Sequence, residues 1–233
     1  MEVLFAAQIK ENRLSYEYLH TTGTPRRLIL FVTGLPQNQE NVVREVKGPS
    51  AKAALDKEGL PTKAAIGFAN SQGVKVEDLK IIKTDKGEYC FAKKEIEGQR
   101  VFDLLPDMIS SVITSLTFPK SMRWKEERFY FARPIRSILA LFDKNVIRLE
   151  LNGVKADRKT NGHQFLSNKI IDLENADFDF YKETLRSNYV IIEIDERRKI
   201  IRDSINTILS RYGTLLDDEE LLNEVTNLVE FPC

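Results

Sequence analysis

The chain has little of what most catalytic and metal chemistry requires. In 233 residues there are two histidines, two cysteines and one tryptophan. His20 and His163 lie far apart in sequence, as do Cys90 and Cys233, so no His/Cys/Asp cluster has the spacing of a zinc site. Two distant cysteines exclude a disulfide framework and fit a reducing compartment, which makes the cytoplasm the expected location. No apolar run approaches the roughly 20 residues that cross a bilayer, and no membrane partner is expected. The first ten residues, M-E-V-L-F-A-A-Q-I-K, have neither a basic leader nor a small-residue cleavage site, so no secretory signal is expected. Lys75 and Lys155 follow glycines outside any G-x-x-x-x-G-K-[ST] frame, and Gly67 and Gly73 lack the strand-turn-helix setting of a dinucleotide fingerprint. No G-x-S-x-G elbow supports a nucleophilic serine. The adjacent pairs Glu126-Glu127 and Asp217-Asp218 are not ready acid/base couples, because neighbours along a strand point to opposite faces.

Apolar residues make up 42% of the chain and charged residues 30%, with 35 cations balancing 35 anions. That composition describes a protein with a sizeable core, in one large domain or two small ones. Against this neutral background, residues 118–136 stand out: F-P-K-S-M-R-W-K-E-E-R-F-Y-F-A-R-P-I-R. They hold the sole tryptophan, Trp124, a Phe129-Tyr130-Phe131 run, and the cations Lys120, Arg123, Lys125, Arg128, Arg133 and Arg136 against two anions. Interleaved aromatics and cations suit a polyanion surface, with cations meeting phosphates and flat groups stacking on bases. The same pattern suits a strand with its aromatics in the core and its charges at the rim. Both readings stay open.

Periodicity predicts a helix over residues 1–12 with Val3, Leu4, Ala7 and Ile9 on its apolar side, and a buried strand over 28–33. Arg26 and Arg27 stand before that strand, as solubilising edge residues or as phosphate contacts. Ser50 is placed to cap a helix carrying Ala51, Ala53, Ala54 and Leu55. A second helix follows Pro61 and closes at Gly73, with Ala64, Ala65, Gly67 and Ala69 allowing close packing. Residues 79–84 and 88–96 read as a hairpin across Asp85-Lys86-Gly87. The clearest helix of the first half spans 102–116, with Asp103 as its cap and Leu105, Met108, Ile109, Val112, Ile113 and Leu116 at helical spacing. Another hairpin joins 135–142 to 146–151, and 153–169 reads as edge strands carrying Lys155, Arg158, Lys159 and His163.

From about residue 170 the chain turns helical. A short helix over 178–185 is followed by a strand-like run over 189–194. A long helix capped by Asp195 then reaches Tyr212, with Ile201, Ile205, Ile208 and Leu209 on one face and Arg197, Arg198, Lys199, Arg202 and Arg211 on a solvated one. A last amphipathic helix starts at Asp217-Asp218. The expected class is therefore α+β, a mixed or antiparallel sheet with packed helices and a helical C-terminal part, divided into residues 1–172 and 173–233. Both ends fall against helices, so the chain reads as a piece of something longer.

Nine stretches then occur in order: T-P-R-R-L, E-V-K-G-P, P-T-K-A-A-I-G-F-A, D-K-G-E-Y, L-L-P, F-P-K-S-M-R-W, F-A-R-P-I-R, N-G-H-Q-F-L and E-V-T-N-L-V-E-F-P. The series resembles the beta subunit of the bacterial tetrameric glycyl-tRNA synthetase along essentially the whole chain. The resemblance implies an N-terminal fragment of a longer subunit that supplies tRNA binding and completes an assembly with a separate alpha subunit. It implies that ATP and magnesium act mainly in that alpha subunit, with no cofactor and no catalytic residue in this piece. The implied partners are the tRNA for glycine and the alpha subunit, with a homodimer left open. Candidate tRNA contacts are Arg26, Arg27, Lys120, Arg123, Arg133, Arg136, Arg158 and His163. Where the family usually reads R-G-H-R-F, this chain has Asn161-Gly162-His163-Gln164-Phe165, which removes two arginines from that loop. Two alternatives remain: an editing-type hydrolase using His163 with a carboxylate such as Asp157, and a protein-interaction scaffold without RNA contact.

Overall fold

The computed structural model describes residues 1–56, 58–85, 87–124, 129–210, 213 and 218–233. The chain forms two compact units, Met1–Gln37 with Val101–Cys233, and Asn38–Arg100. Residue 172, the expected boundary, lies within the larger unit.

The larger unit opens with α1 (Glu2–Glu11), which buries Phe5 and Ile9, one turn apart. Val3, expected on the apolar side, is 81% exposed; the stripe through Phe5 and Ile9 leaves it facing outward. A tight hairpin follows, β1 (Tyr18–Thr24) paired antiparallel with β2 (Arg27–Thr33) around Pro25-Arg26.

The chain then builds the smaller unit. β3 (Val42–Ser50) leads into α2 (Ala51–Ala54) and α3 (Lys63–Gln72), and β4 (Lys80–Thr84) pairs with β5 (Gly87–Ile96). The three strands form an antiparallel sheet in the order β3-β5-β4. Gly73 closes α3 at φ 69°, the left-handed cap conformation expected of it. Ala54, Ala65 and Cys90 form the small core, with Leu79 packed against it. Of the small residues expected to pack, Ala65 and Ala69 are buried, whereas Ala64 is exposed and a Cβ on Gly67 would meet open space. Lys86, in the expected hairpin turn, lies outside the described residues.

Back in the larger unit, α4 (Val101–Thr114) begins one residue earlier than predicted, placing Asp103 in the first turn rather than at the cap. Its Leu105, Met108 and Val112 join Phe5, Ile9, Ile138, Ile147 and Leu149 in the main core. Short strands follow: β6 (Met122–Trp124), β7 (Phe129–Phe131), β8 (Ile138–Leu139), β9 (Leu141–Phe142), β10 (Asn145–Val146), β11 (Glu150–Leu151), β12 (Val154–Asp157), β13 (Lys159–Asn161) and β14 (Ile170–Asp172). The continuous hairpin expected over 135–151 is broken. Only β9 and β10 pair with each other, across Asp143 at φ 53°, while β8 pairs in parallel with β12.

The C-terminal part holds α5 (Phe178–Arg186), α6 (Ile194–Leu209) and α7 (Glu219–Thr226). Asp218 caps α7, its Oδ1 accepting from the Leu221 N–H at 2.9 Å. Asp217, Arg211 and Tyr212 lie outside the described residues. The α6 N-cap is Glu193, not Asp195, and Ile208, expected on the buried face, is 62% exposed. Residues 189–194 do not form a strand. Val190, Ile191 and Ile192 are buried with Ile29 and Leu185 close by, yet their backbone groups are satisfied by other partners. The Ile191 N–H donates to the Glu230 carbonyl at 2.8 Å, and an arginine takes the Ile191 and Ile192 carbonyls. The whole is α+β, with small antiparallel and mixed sheets and a helical C-terminal part.

Candidate nucleic-acid interface

The basic-aromatic stretch folds as the β6–β7 hairpin, with Met122, Arg123 and Trp124 opposite Phe131, Tyr130 and Phe129. Strand alternation sorts these side chains into two faces. On one, Phe129 is buried and stacks with Phe131 at 5.7 Å between centroids, Phe118 meets Phe131 edge-on at 4.7 Å, and the Trp124 indole N–H donates to the Phe131 carbonyl at 2.9 Å. On the other, Arg123 and Tyr130 are direct cross-strand neighbours, both exposed. The aromatics on one face pack as the core reading expects, and the other face carries the exposed Arg123–Tyr130 pair. Lys120 and Arg133, two residues outside the paired segments, are exposed at the hairpin's open end, and Arg136 is exposed further along. Lys125 and Arg128 lie outside the described residues.

The other candidates have different surroundings. Arg26 is exposed. Arg27, next to it, forms an ion pair with Glu230, which is 5% exposed, and donates from Nη2 to the carbonyls of Asn161 at 2.6 Å and Gly162 at 3.1 Å. Thr24 completes the site by donating its hydroxyl to Glu230 at 2.6 Å. Burial pushes the nearby Tyr181 hydroxyl up in pKa, while Arg27 opposes the shift. Arg158 is half-buried and donates to the Lys144 carbonyl at 3.1 Å.

His163 braces its own loop. Its Nδ1 accepts from the N–H groups of Phe165 at 3.3 Å and Leu166 at 3.2 Å, so the proton of the neutral ring sits on Nε2. Its backbone N–H donates to the Asn188 carbonyl, and a Cβ on Gly162 would come within 2.9 Å of Ser167 and 3.0 Å of Asn188. Asp157, its suggested carboxylate partner, accepts from the Arg158 N–H at 2.7 Å.

The residue that sequence reasoning missed is Arg197. Read as part of a solvated helix face, it is fully buried at 0% exposure. Its Nη1 donates to the carbonyls of Ile191 at 2.7 Å and Ile192 at 3.0 Å, Nη2 to that of Gly23 at 3.0 Å, and Nε to that of Thr226 at 3.4 Å. Burial pushes its pKa down, with Glu230 and Glu193 pulling the other way. The signal was present: counting back four residues from Ile201 places Arg197 on the apolar stripe, not opposite it. Arg198 and Arg202 do face outward, where both pair with Glu219 of α7. Glu193 also contacts His20 Nε2 at 3.2 Å.

Among the described residues there is no group of three or more His, Cys, Asp or Glu side chains that could hold a metal ion, and no helix is long and apolar enough to cross a membrane. Cys90 is buried, and burial raises the pKa of its thiol.

A family model described as glycyl-tRNA synthetase beta subunit matches residues 1–233. The chain belongs to that family. Glycine–tRNA ligase beta subunits of Moorella thermoacetica and Halalkalibacterium halodurans are similar to it, at 43% identity over 100% of this chain and 45% over 96%. That of Desulforamulus reducens is 41% identical over 96% of the chain. The chain covers 33%, 32% and 32% of these three relatives, so it spans about a third of their length. In this member of the glycyl-tRNA synthetase beta family, three of the stretches that carry the resemblance meet at one place. T-P-R-R-L contributes Arg27, N-G-H-Q-F-L the Asn161 and Gly162 carbonyls, and E-V-T-N-L-V-E-F-P Glu230.

Proposed function

We propose that the protein containing this chain takes part in the ATP-dependent attachment of glycine to its tRNA, and that this region supplies RNA contact and subunit assembly rather than chemistry. The observation that carries the reading is the match of one family model from residue 1 to residue 233. In it, ATP and magnesium act in a separate alpha subunit, the tRNA for glycine and that subunit are the partners, and the assembly is a cytoplasmic heterotetramer. The outward face of the β6–β7 hairpin supports RNA contact, because Arg123 offers charge to a phosphate beside the exposed ring of Tyr130. Lys120, Arg133, Arg136 and Arg26 extend that charge, whereas Arg27, Arg158 and His163 act through the fold. Assembly is supported by α7 and the turn after it, where Leu221, Val225 and Leu228 are exposed at helical spacing, Leu228 at 75%.

The test is aminoacylation by the full-length subunit with its alpha partner, comparing Arg123→Ala with Tyr130→Ala. Each variant should raise the KM for tRNA and leave the KM for glycine and ATP unchanged. Arg123→Ala should also flatten the salt dependence of tRNA binding by about one charge. Unchanged tRNA KM and salt slope in both would refute the RNA contact.

A further inference from the structure

The three-stranded sheet of the smaller unit has two unlike faces. Helices α2 and α3 pack Ala54 and Ala65 against Cys90, so they take the face to which Cys90 and Ala92 point. Tyr89, Phe91 and Lys93 alternate with these residues and point to the opposite face. There the register sets Lys47 beside Phe91 on one side and Lys80 on the other, a Lys-Phe-Lys row across all three strands. In the next row Ile82 flanks Tyr89, and the Lys47 ammonium stands 3.3 Å from the Tyr89 ring centroid. One row in the other direction, Lys93 pairs with Glu45 at 3.6 Å. Lys47 and Lys80 are exposed, and Tyr89 and Phe91 are partly exposed.

We propose that this sheet face binds unpaired nucleotides of RNA, with Phe91 and Tyr89 as stacking surfaces and Lys47 and Lys80 as phosphate contacts. The two rings sit two residues apart on the central strand, about 6.8 Å along it; Phe91 takes a base directly, and Tyr89 takes one when Lys47 moves from over its ring to a phosphate. A base held in a duplex cannot lie flat on a sheet, so the ligand is single-stranded. An acidic peptide would use the lysines but not the pair of rings between them. Lys93 also borders a cleft of about 710 Å³ at the end of α3, lined by charges of both signs, Lys75 and Lys94 with Asp78 and Glu95. This assigns a second RNA surface, on a different unit from the β6–β7 hairpin, and goes beyond the aminoacylation reading.

The experiment titrates the full-length protein, with its alpha partner, against a fluorescein-labelled octauridine at several salt concentrations. Phe91→Ala should weaken binding at least about fivefold, the lower end of the 1–3 kcal/mol a stacked base contributes, and Phe91→Tyr should restore it. The double variant Lys47→Ala/Lys80→Ala replaces two exposed side chains and so should keep the parent melting temperature. It should flatten the log-log salt slope by about 1.4, roughly 0.7 for each phosphate contact on a single strand. Parent-like octauridine binding by both variants overturns the proposal, as does equal binding of a duplex or equal displacement by polyglutamate. If octauridine binding falls in Arg123→Ala but not in the lysine double variant, the sheet assignment fails while the synthetase reading stands.

Discussion

Arg197→Ala should be among the most damaging single substitutions in this chain. The guanidinium is fully buried and makes hydrogen bonds of 2.7, 3.0 and 3.0 Å to three carbonyls, with a weaker fourth at 3.4 Å. Bonds from a charged donor contribute about 1.5–3 kcal/mol each. Truncation would also remove a cation that acts on the charges of Glu230 and Glu193, leaving Glu230 its ion pair with Arg27. Against this stands the desolvation of the arginine, which the variant no longer has to meet. Removing one partner of a buried ionic group costs about 3–5 kcal/mol after such offsets, and that is the expected loss. With domain stabilities of about 5–15 kcal/mol, a large share would disappear. The assay is urea unfolding followed by the fluorescence of Trp124, the sole tryptophan, which lies in the same compact unit. At a slope of about 2–3 kcal/mol per molar, the midpoint should fall by more than 1 M. Arg197→Lys keeps the charge but not the forked donors, and should fall between the two. A midpoint within about 0.2 M of the parent for Arg197→Ala would refute the account of residues 189–194 as a segment held by this side chain.

Two further outcomes follow from titratable groups. Hydrogen bonds from Arg198 and Arg202 hold the exposed Glu219 carboxyl below the usual carboxylate range, Arg198 contributing most. A lowered folded-state pKa stabilises fully above the unfolded value of about 4.3 and is lost as pH falls through the folded one. Glu219→Gln should therefore lower the urea midpoint at pH 7 and match the parent near pH 2, whereas a gap independent of pH would contradict the linkage. Burial raises the Cys90 thiol while Cys233 is exposed, so iodoacetamide at pH 8 should label Cys233 first and Cys90 only on unfolding, as read by peptide mass spectrometry.

Much of the fold was legible because its signals are local. Gly73 ends α3, Asp218 caps α7, and the apolar run of residues 28–33 yields β2. The failures share a cause. Residues 189–194 have the composition of a strand, but strand formation needs a partner edge, and here the partners are a side chain from α6 and the Glu230 carbonyl. Arg197 was misread because helical arginines are ordinarily solvated, and carbonyls brought together from Gly23, Ile191, Ile192 and Thr226 cannot be seen in sequence. At the candidate site, the pairing of residues 122–124 with 129–131 separates Arg123 and Tyr130 from the apolar side, a division that reading Phe129-Tyr130-Phe131 as one aromatic run did not make. The Lys-Phe-Lys row was not legible. Lys47, Lys80 and Phe91 come from three strands, and only their register makes them neighbours.

Residues that identify a family and residues that meet its ligand need not coincide. Arg27 comes from a stretch that resembles the synthetase family and reads as a phosphate contact in sequence. Folded, it joins the N-terminal hairpin to Glu230 near the far end of the chain, across 203 positions, and fixes the loop before His163 through two carbonyls. An Arg27→Ala protein that bound tRNA weakly would thus say little about phosphate contact, because loss of the ion pair leaves a nearly buried carboxylate unpaired. Arg26 separates the two effects. It is adjacent in sequence and exposed, so a loss of affinity in Arg26→Ala at unchanged melting temperature would come from the ligand and not from the fold.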